Sequence, residues 1–202
     1  ALSIFTNSLL TYLILTRSPR EIGAYRHFLL AFALNDVYFP VVHQMTLPVI
    51  CSYKDAFIMF ANGLITSRVA ISFFGATFSQ TMPLLAHLFI YRMIATKWYY
   101  LFLFEIRSPL LMANPIHFAY ASIVFLHCYI NGYDDETGAY VQPFLDETFD
   151  GEGTAFIGAL YYSSSGHFRL RAFFTTMGFN AIMGICISVI CWCSYATIAH
   201  LR

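Results

Sequence analysis

Charged residues are missing from long stretches of this chain, and the stretches recur with the length that one kind of element requires. Residues 1–16 carry no formal charge, 27–50 carry only Asp36, and 69–91 carry none before Arg92 appears. The runs at 109–130 and from 172 to about 199 are likewise free of Asp, Glu, Lys and Arg. A helix rises about 1.5 Å per residue, so roughly 20 apolar residues cross the ~30 Å hydrocarbon core of a bilayer. In lipid, backbone polar groups are satisfied only in helices or closed barrels, and the strict apolar/polar alternation of a barrel strand is absent. The pattern predicts five spanning helices, at about 1–16, 27–50, 69–91, 109–130 and 172–199, in a single transmembrane domain covering 1–202. The fold class is an all-α membrane protein in contact with the lipid bilayer.

Composition sharpens this picture. Hydrophobic residues make up 58 % of the chain, aromatic residues 18 % and charged residues only 11 %. A soluble domain carries about 25 % charged residues, so too few remain here to cover a water-facing surface. The balance is even, with 11 basic and 11 acidic residues, and no basic tract interleaved with aromatics lies outside the apolar runs. Nucleic acid is therefore not an expected partner. Residues 1–16 lack the basic segment that precedes the apolar stretch of a signal peptide. They read as the inner part of a spanning helix whose start is missing, and the chain reads as a fragment.

Charge distribution sets an orientation. Counted alternately along the five runs, one side receives Arg17, Arg20, Arg26, Arg92, Lys97, Arg107 and Arg202, seven of the 11 basic residues. The other side receives Lys54, Arg68, Arg169 and Arg171. Excess Lys and Arg marks the cytoplasmic side, so the N-terminus is expected outside. The acid-rich loop at about 131–171 is then extracellular.

Four segments carry a more specific signal. LILTRSPREIGAYRHFLLAF at 13–32, with Gly23, Tyr25 and Arg26 in its IGAYR core, resembles the first cytoplasmic turn of the Str-type nematode chemoreceptors. HLFIYR at 87–92 is similar to that family's third-helix ending, with Met93 standing where the family usually has tyrosine. AFIGALYY at 155–162 resembles the segment before the fifth helix, and CWCSYATIAHL at 191–201 its inner end. The resemblance implies a partial seven-transmembrane receptor bundle, with five of the family's helices present. It also implies an odorant-like small-molecule ligand, a heterotrimeric G protein as partner, and the plasma membrane of a sensory neuron cilium.

Particular residues are candidates for those roles. The resemblance implies that Tyr91 and Arg92 face the G protein; taken alone, Arg92 equally suits an interfacial anchor beside Lys97 and Trp98. Tyr91 precedes the arginine where rhodopsin-like receptors have an acid, so no ion-pair lock within that helix is expected. Phe73, Thr77, Gln80 and Leu84 recur on one helical face, pairing an aromatic wall with isolated hydrogen-bonding groups. That stripe suits a ligand, and it suits interhelical packing as well. Pro83 releases the carbonyl of Ser79. Asp36 is the sole acid within an apolar run; Pro40 cannot donate to its carbonyl, and His43 follows seven residues on. An intramembrane carboxylate points to function or to a polar packing contact. A transporter or channel subunit using Asp36 and His43 is the rival reading, and a truncated, non-signalling product is another.

Cys51 and Cys128 fall near the outer ends of their runs, where a disulfide is one option. Cys186, Cys191 and Cys193 read as small apolar residues. Cysteine and histidine lack zinc spacing, so neither a metal nor a cofactor is expected. GEG at 151–153 lacks the remaining spacing of a nucleotide loop, and no catalytic motif is present, so no enzyme is expected.

Overall fold

The computed structural model describes residues 2–18, 25–97, 109–149, 155–163 and 165–201. Arg20, Gly23, Trp98, Arg107, Arg202 and the GEG at 151–153 lie outside the described residues. Helices α1 (Leu2–Arg17), α2 (Tyr25–Thr46), α3 (Arg68–Ser79) and α4 (Thr81–Lys97) are followed by α5 (Pro109–Asn131), α6 (Asp135–Phe149) and α7 (Leu170–Leu201). Strands β1 (Pro48–Tyr53) and β2 (Ala56–Ala61) precede α3, and β3 (Phe156–Leu160) precedes α7.

Only Gln80 separates α3 from α4, and Arg68–Lys97 together span 30 residues. This stretch and the 32-residue α7 are long and apolar enough to cross a membrane. The core helix of a soluble protein would also be long and apolar, but it would be covered. Protein covers only 17 % of the most apolar stretch of α7, against 61 % for Arg68–Lys97. Trp192 and Tyr195 are among the large side chains that α7 leaves exposed. Several small polar residues satisfy themselves locally, as suits a lipid environment: Thr6, Thr16, Ser188, Ser194 and Thr197 each donate to the carbonyl four residues earlier.

Helix α2 stops before its apolar run does. The run extends to residue 50, but the helix ends at Thr46 and residues 48–50 begin a strand. Pro48 disfavours helical backbone at the residue before it. Leu47 instead adopts φ 38°, in the left-handed region, while its N–H still donates to the carbonyl of His43 at 2.7 Å.

The three strands form an antiparallel sheet in the order β1-β2-β3, an element the all-helical expectation did not contain. Lys54 and Asp55 close the β1–β2 hairpin, with Lys54 at φ 48°. Ala56, Ile58 and Phe60 of β2 pack with Phe156 and Leu160 against Val141 and Leu145 of α6. Thr137, Val141 and Leu145 recur at four-residue intervals, forming the buried stripe of α6. The loop expected at 131–171 is thus a folded layer. The alternate residues Phe57 and Met59 point to the other face, which is also apolar, so no apolar/polar alternation was there to be read.

The chain divides into two compact units. The first comprises residues 1–40, 79–121 and 183–202, and the second 41–78 and 122–182. The sheet and α6 belong to the second.

Candidate functional site

The second unit forms a half-open cavity of about 390 Å³, within the ~300–1,000 Å³ usual for small-molecule sites. Ile50, Phe57 and Met59 from the sheet form one wall, and Phe74, Gly75 and Phe78 of α3 another. His127 and Cys128 of α5, Tyr161, and Thr175, Thr176, Phe179 and Asn180 of α7 complete it. None of the lining residues carries a formal charge.

The hydrogen bonds around the cavity assign most of its polar atoms. His127 Nε2 lies 2.8 Å from the carbonyl of Thr175, which can only accept, so the proton is on Nε2. His127 Nδ1 then accepts from the Asn131 amide at 3.3 Å. Thr176 spends its hydroxyl proton on the carbonyl of Ala172 at 3.1 Å, so Tyr161 donates to Thr176 at 2.8 Å. The Asn180 side-chain amide, by contrast, has no hydrogen-bond partner among the described residues, and its side chain is exposed. Gly178 sets how close α7 comes to α5: a Cβ there would lie 2.7 Å from Cε1 of His127.

The residues anticipated for ligand contact fall elsewhere. Phe73 and Thr77 do not line the cavity; Phe74, Gly75 and Phe78 on the adjoining face of α3 do. Thr77 is buried, with its hydroxyl on the carbonyl of Phe73 at 2.9 Å. Gln80 belongs to the first unit, where its amide reaches the carbonyl of His117 at 3.5 Å, and Leu84 is buried in α4 of the same unit. Asn180 and Thr176 escaped notice because they lie in a run whose hydropathy reads as uniformly apolar, and nothing in that run marks which face turns inward.

Asp36 and His43 fall in different units. The carboxylate of Asp36 is exposed, and its backbone carbonyl, which Pro40 cannot serve, accepts from the Ser3 hydroxyl of α1 at 3.3 Å. His43 meets Phe74 edge-on, with ring centroids 5.8 Å apart. Cys51 and Cys128 are both free. Burial pushes the Cys51 thiol pKa up, away from reactivity.

In the first unit, Arg92 meets the opening of α2. Its Nη2 donates to the Tyr25 hydroxyl at 2.8 Å, and its guanidinium carbon lies 5.5 Å from the centre of the same ring. Beside this contact, the rings of Tyr91 and Phe28 lie 5.0 Å apart. Two segments separated by 67 residues are thereby joined.

The model of the serpentine type 7TM GPCR chemoreceptor Str family matches residues 1–202. The chain belongs to that family. No curated protein and no solved structure matches it. As an Str chemoreceptor it is a multi-pass membrane protein, which accounts for the uncovered length of α7. Str chemoreceptors are receptors and not enzymes.

In this Str receptor, arginines pin the layer formed by the sheet and α6. Arg169 donates to Asp134 at 2.9 Å and to the Thr137 hydroxyl at 3.1 Å, and lies 3.3 Å from Glu136. Asp134 also caps α6, accepting from the Thr137 N–H at 3.0 Å. Burial raises the pKa of this carboxyl, but the bonds from Thr137 and Arg169 outweigh burial and hold it below its ordinary value. Arg171 donates to the carbonyl of Tyr133 at 2.8 Å and to that of Ile130 at 3.3 Å, at the end of α5. Arg68 lies over Tyr129 and Tyr133, at 4.6 Å and 5.2 Å.

Proposed function

We propose that this Str receptor binds a small, neutral, largely apolar molecule in the cavity of the second unit and signals to a heterotrimeric G protein. The observation that carries the ligand reading is the uncharged lining of a cavity of about 390 Å³, with Asn180 offering an unengaged amide. A charged ligand would lose its hydration there without gaining a counter-ion, whereas an apolar body with one hydrogen-bonding oxygen matches the lining. The coupling surface is the end that carries Tyr91 and Arg92, facing the cytoplasm with the N-terminus outside, as the excess of basic residues favours. The plasma membrane of a sensory cilium is the setting that the family suggests.

The test is a response assay on the full-length receptor in cells carrying a G-protein reporter, challenged with matched neutral and charged compounds. Neutral compounds should activate, and Asn180→Leu should raise their half-maximal concentration about tenfold, the scale of one hydrogen bond. Activation by charged compounds, or indifference of all active compounds to both Asn180→Leu and a cavity-filling Ala159→Leu in the β3 lining, would refute the site.

A further inference from the structure

We infer that Tyr25 is the resting-state latch for Arg92, taking the part that an acid plays where an arginine of this kind is held by a carboxylate. The inference rests on the coupling role proposed above and adds a residue to it. Three contacts converge. The Tyr25 hydroxyl accepts from Arg92 Nη2 at 2.8 Å, and the guanidinium also lies over the Tyr25 ring, 5.5 Å from its centre. The neighbouring Phe28, buried at 2 % exposure, packs on Tyr91 at 5.0 Å. One turn of α2 therefore grips two consecutive residues of α4.

Chemistry suits this pair to a releasable hold. No carboxylate pairs with Arg92 among the described residues. A phenol bond to a guanidinium is weaker than a bidentate carboxylate pair, and the stacked ring adds a second attraction without adding charge. The Arg92 side chain is exposed, so releasing Tyr25 frees the planar fork for carbonyls or carboxylates of a partner without unburying a charge. Phe28 and Tyr91 pack the two helices together, and among the described residues Tyr25 is the side chain that the guanidinium meets.

The experiment measures basal nucleotide exchange on a co-expressed heterotrimeric G protein, normalised to full-length receptor at the cell surface, so no ligand is required. Tyr25→Phe keeps the ring and removes the acceptor; basal exchange should rise about threefold to tenfold, the scale of one lost hydrogen bond. Tyr25→Glu supplies a stronger acceptor and should lower basal exchange below wild type, which a merely structural role for the ring would not do. The rise should vanish in the double variant with Arg92→Ala. Wild-type basal exchange in Tyr25→Phe, with Arg92→Ala silent, overturns the latch and leaves the coupling role of Arg92 standing. Undiminished signalling by Arg92→Ala overturns the coupling role, and the latch with it. If Tyr25→Phe does not reach the surface, Tyr25→Trp, a ring with no acceptor oxygen, is read against the same outcomes.

Discussion

Arg169 closes on Asp134 across 35 residues of chain, at 2.9 Å, with 15 % and 17 % of the two side chains exposed. The arginine enters from the segment leading into α7, and the aspartate is the cap of α6. One ion pair thus ties the start of a spanning helix to the layer beside the sheet. Removing the arginine leaves a largely buried carboxylate and the Thr137 hydroxyl short of a donor. Arg169→Ala should cost about 2 kcal/mol, read as a fall of several degrees in the thermal midpoint of detergent-solubilised receptor. Arg169→Lys should fall between, because an ammonium cannot serve Asp134, Glu136 and Thr137 with one planar fork.

The same carboxyl makes stability depend on acidity. Its folded pKa is depressed, so its contribution is fully present above the unfolded value of about 4 and is lost as pH falls through the lower, folded value. Thermal midpoints measured from pH 6 downward should decline below about pH 4. Asp134→Asn should be less stable at neutral pH and should show a smaller decline. An equal acid dependence in the variant would remove Asp134 from the explanation.

Ser3 and Pro40 form a testable pair although they do not bond to one another. Pro40 lacks the N–H that would serve the carbonyl of Asp36, and Ser3 serves it instead at 3.3 Å. Ser3→Ala should cost about 1 kcal/mol in the native background. In a Pro40→Ala background the restored backbone N–H makes Ser3 dispensable, and the cost should approach zero. Additive effects in the double-mutant cycle would show that the hydroxyl is not filling the gap.

Gly178→Ala should disturb both the fold and the response, because the new Cβ meets the His127 ring at 2.7 Å. The ring must move and its bond to the Thr175 carbonyl must break, at a cost of about 1–3 kcal/mol. His127→Ala in the same chain should recover part of the thermal midpoint by removing the clash. A Gly178→Ala receptor as stable as wild type would mean that α7 and α5 are not in contact there.

The part legible in the sequence was set by solvent. A bilayer excludes charge over a fixed thickness, so the runs at 69–91, 109–130 and 172–199 announce helices by length alone, and the words IGAYR and HLFIYR announce the family. Even the departure at 47–50 had a visible cause in Pro48, outweighed there by hydropathy. The sheet left no such trace, because β2 buries Ile58 and Phe60 against α6 and turns Phe57 and Met59 to the cavity.

Which face of a helix meets the cavity was decided only in three dimensions. Phe73 and Phe74 are equally apolar in the sequence, yet one residue of advance along α3 is a rotation of about 100°, and only Phe74 reaches the cavity. Likewise Tyr25 and Arg92 stand 67 residues apart and form separate motifs until packing joins them. Transfer into lipid is a sum over individual residues and can be read in order along the chain. A contact depends on two distant backbones at once, and here packing brought the hydroxyl of Tyr25 to Arg92.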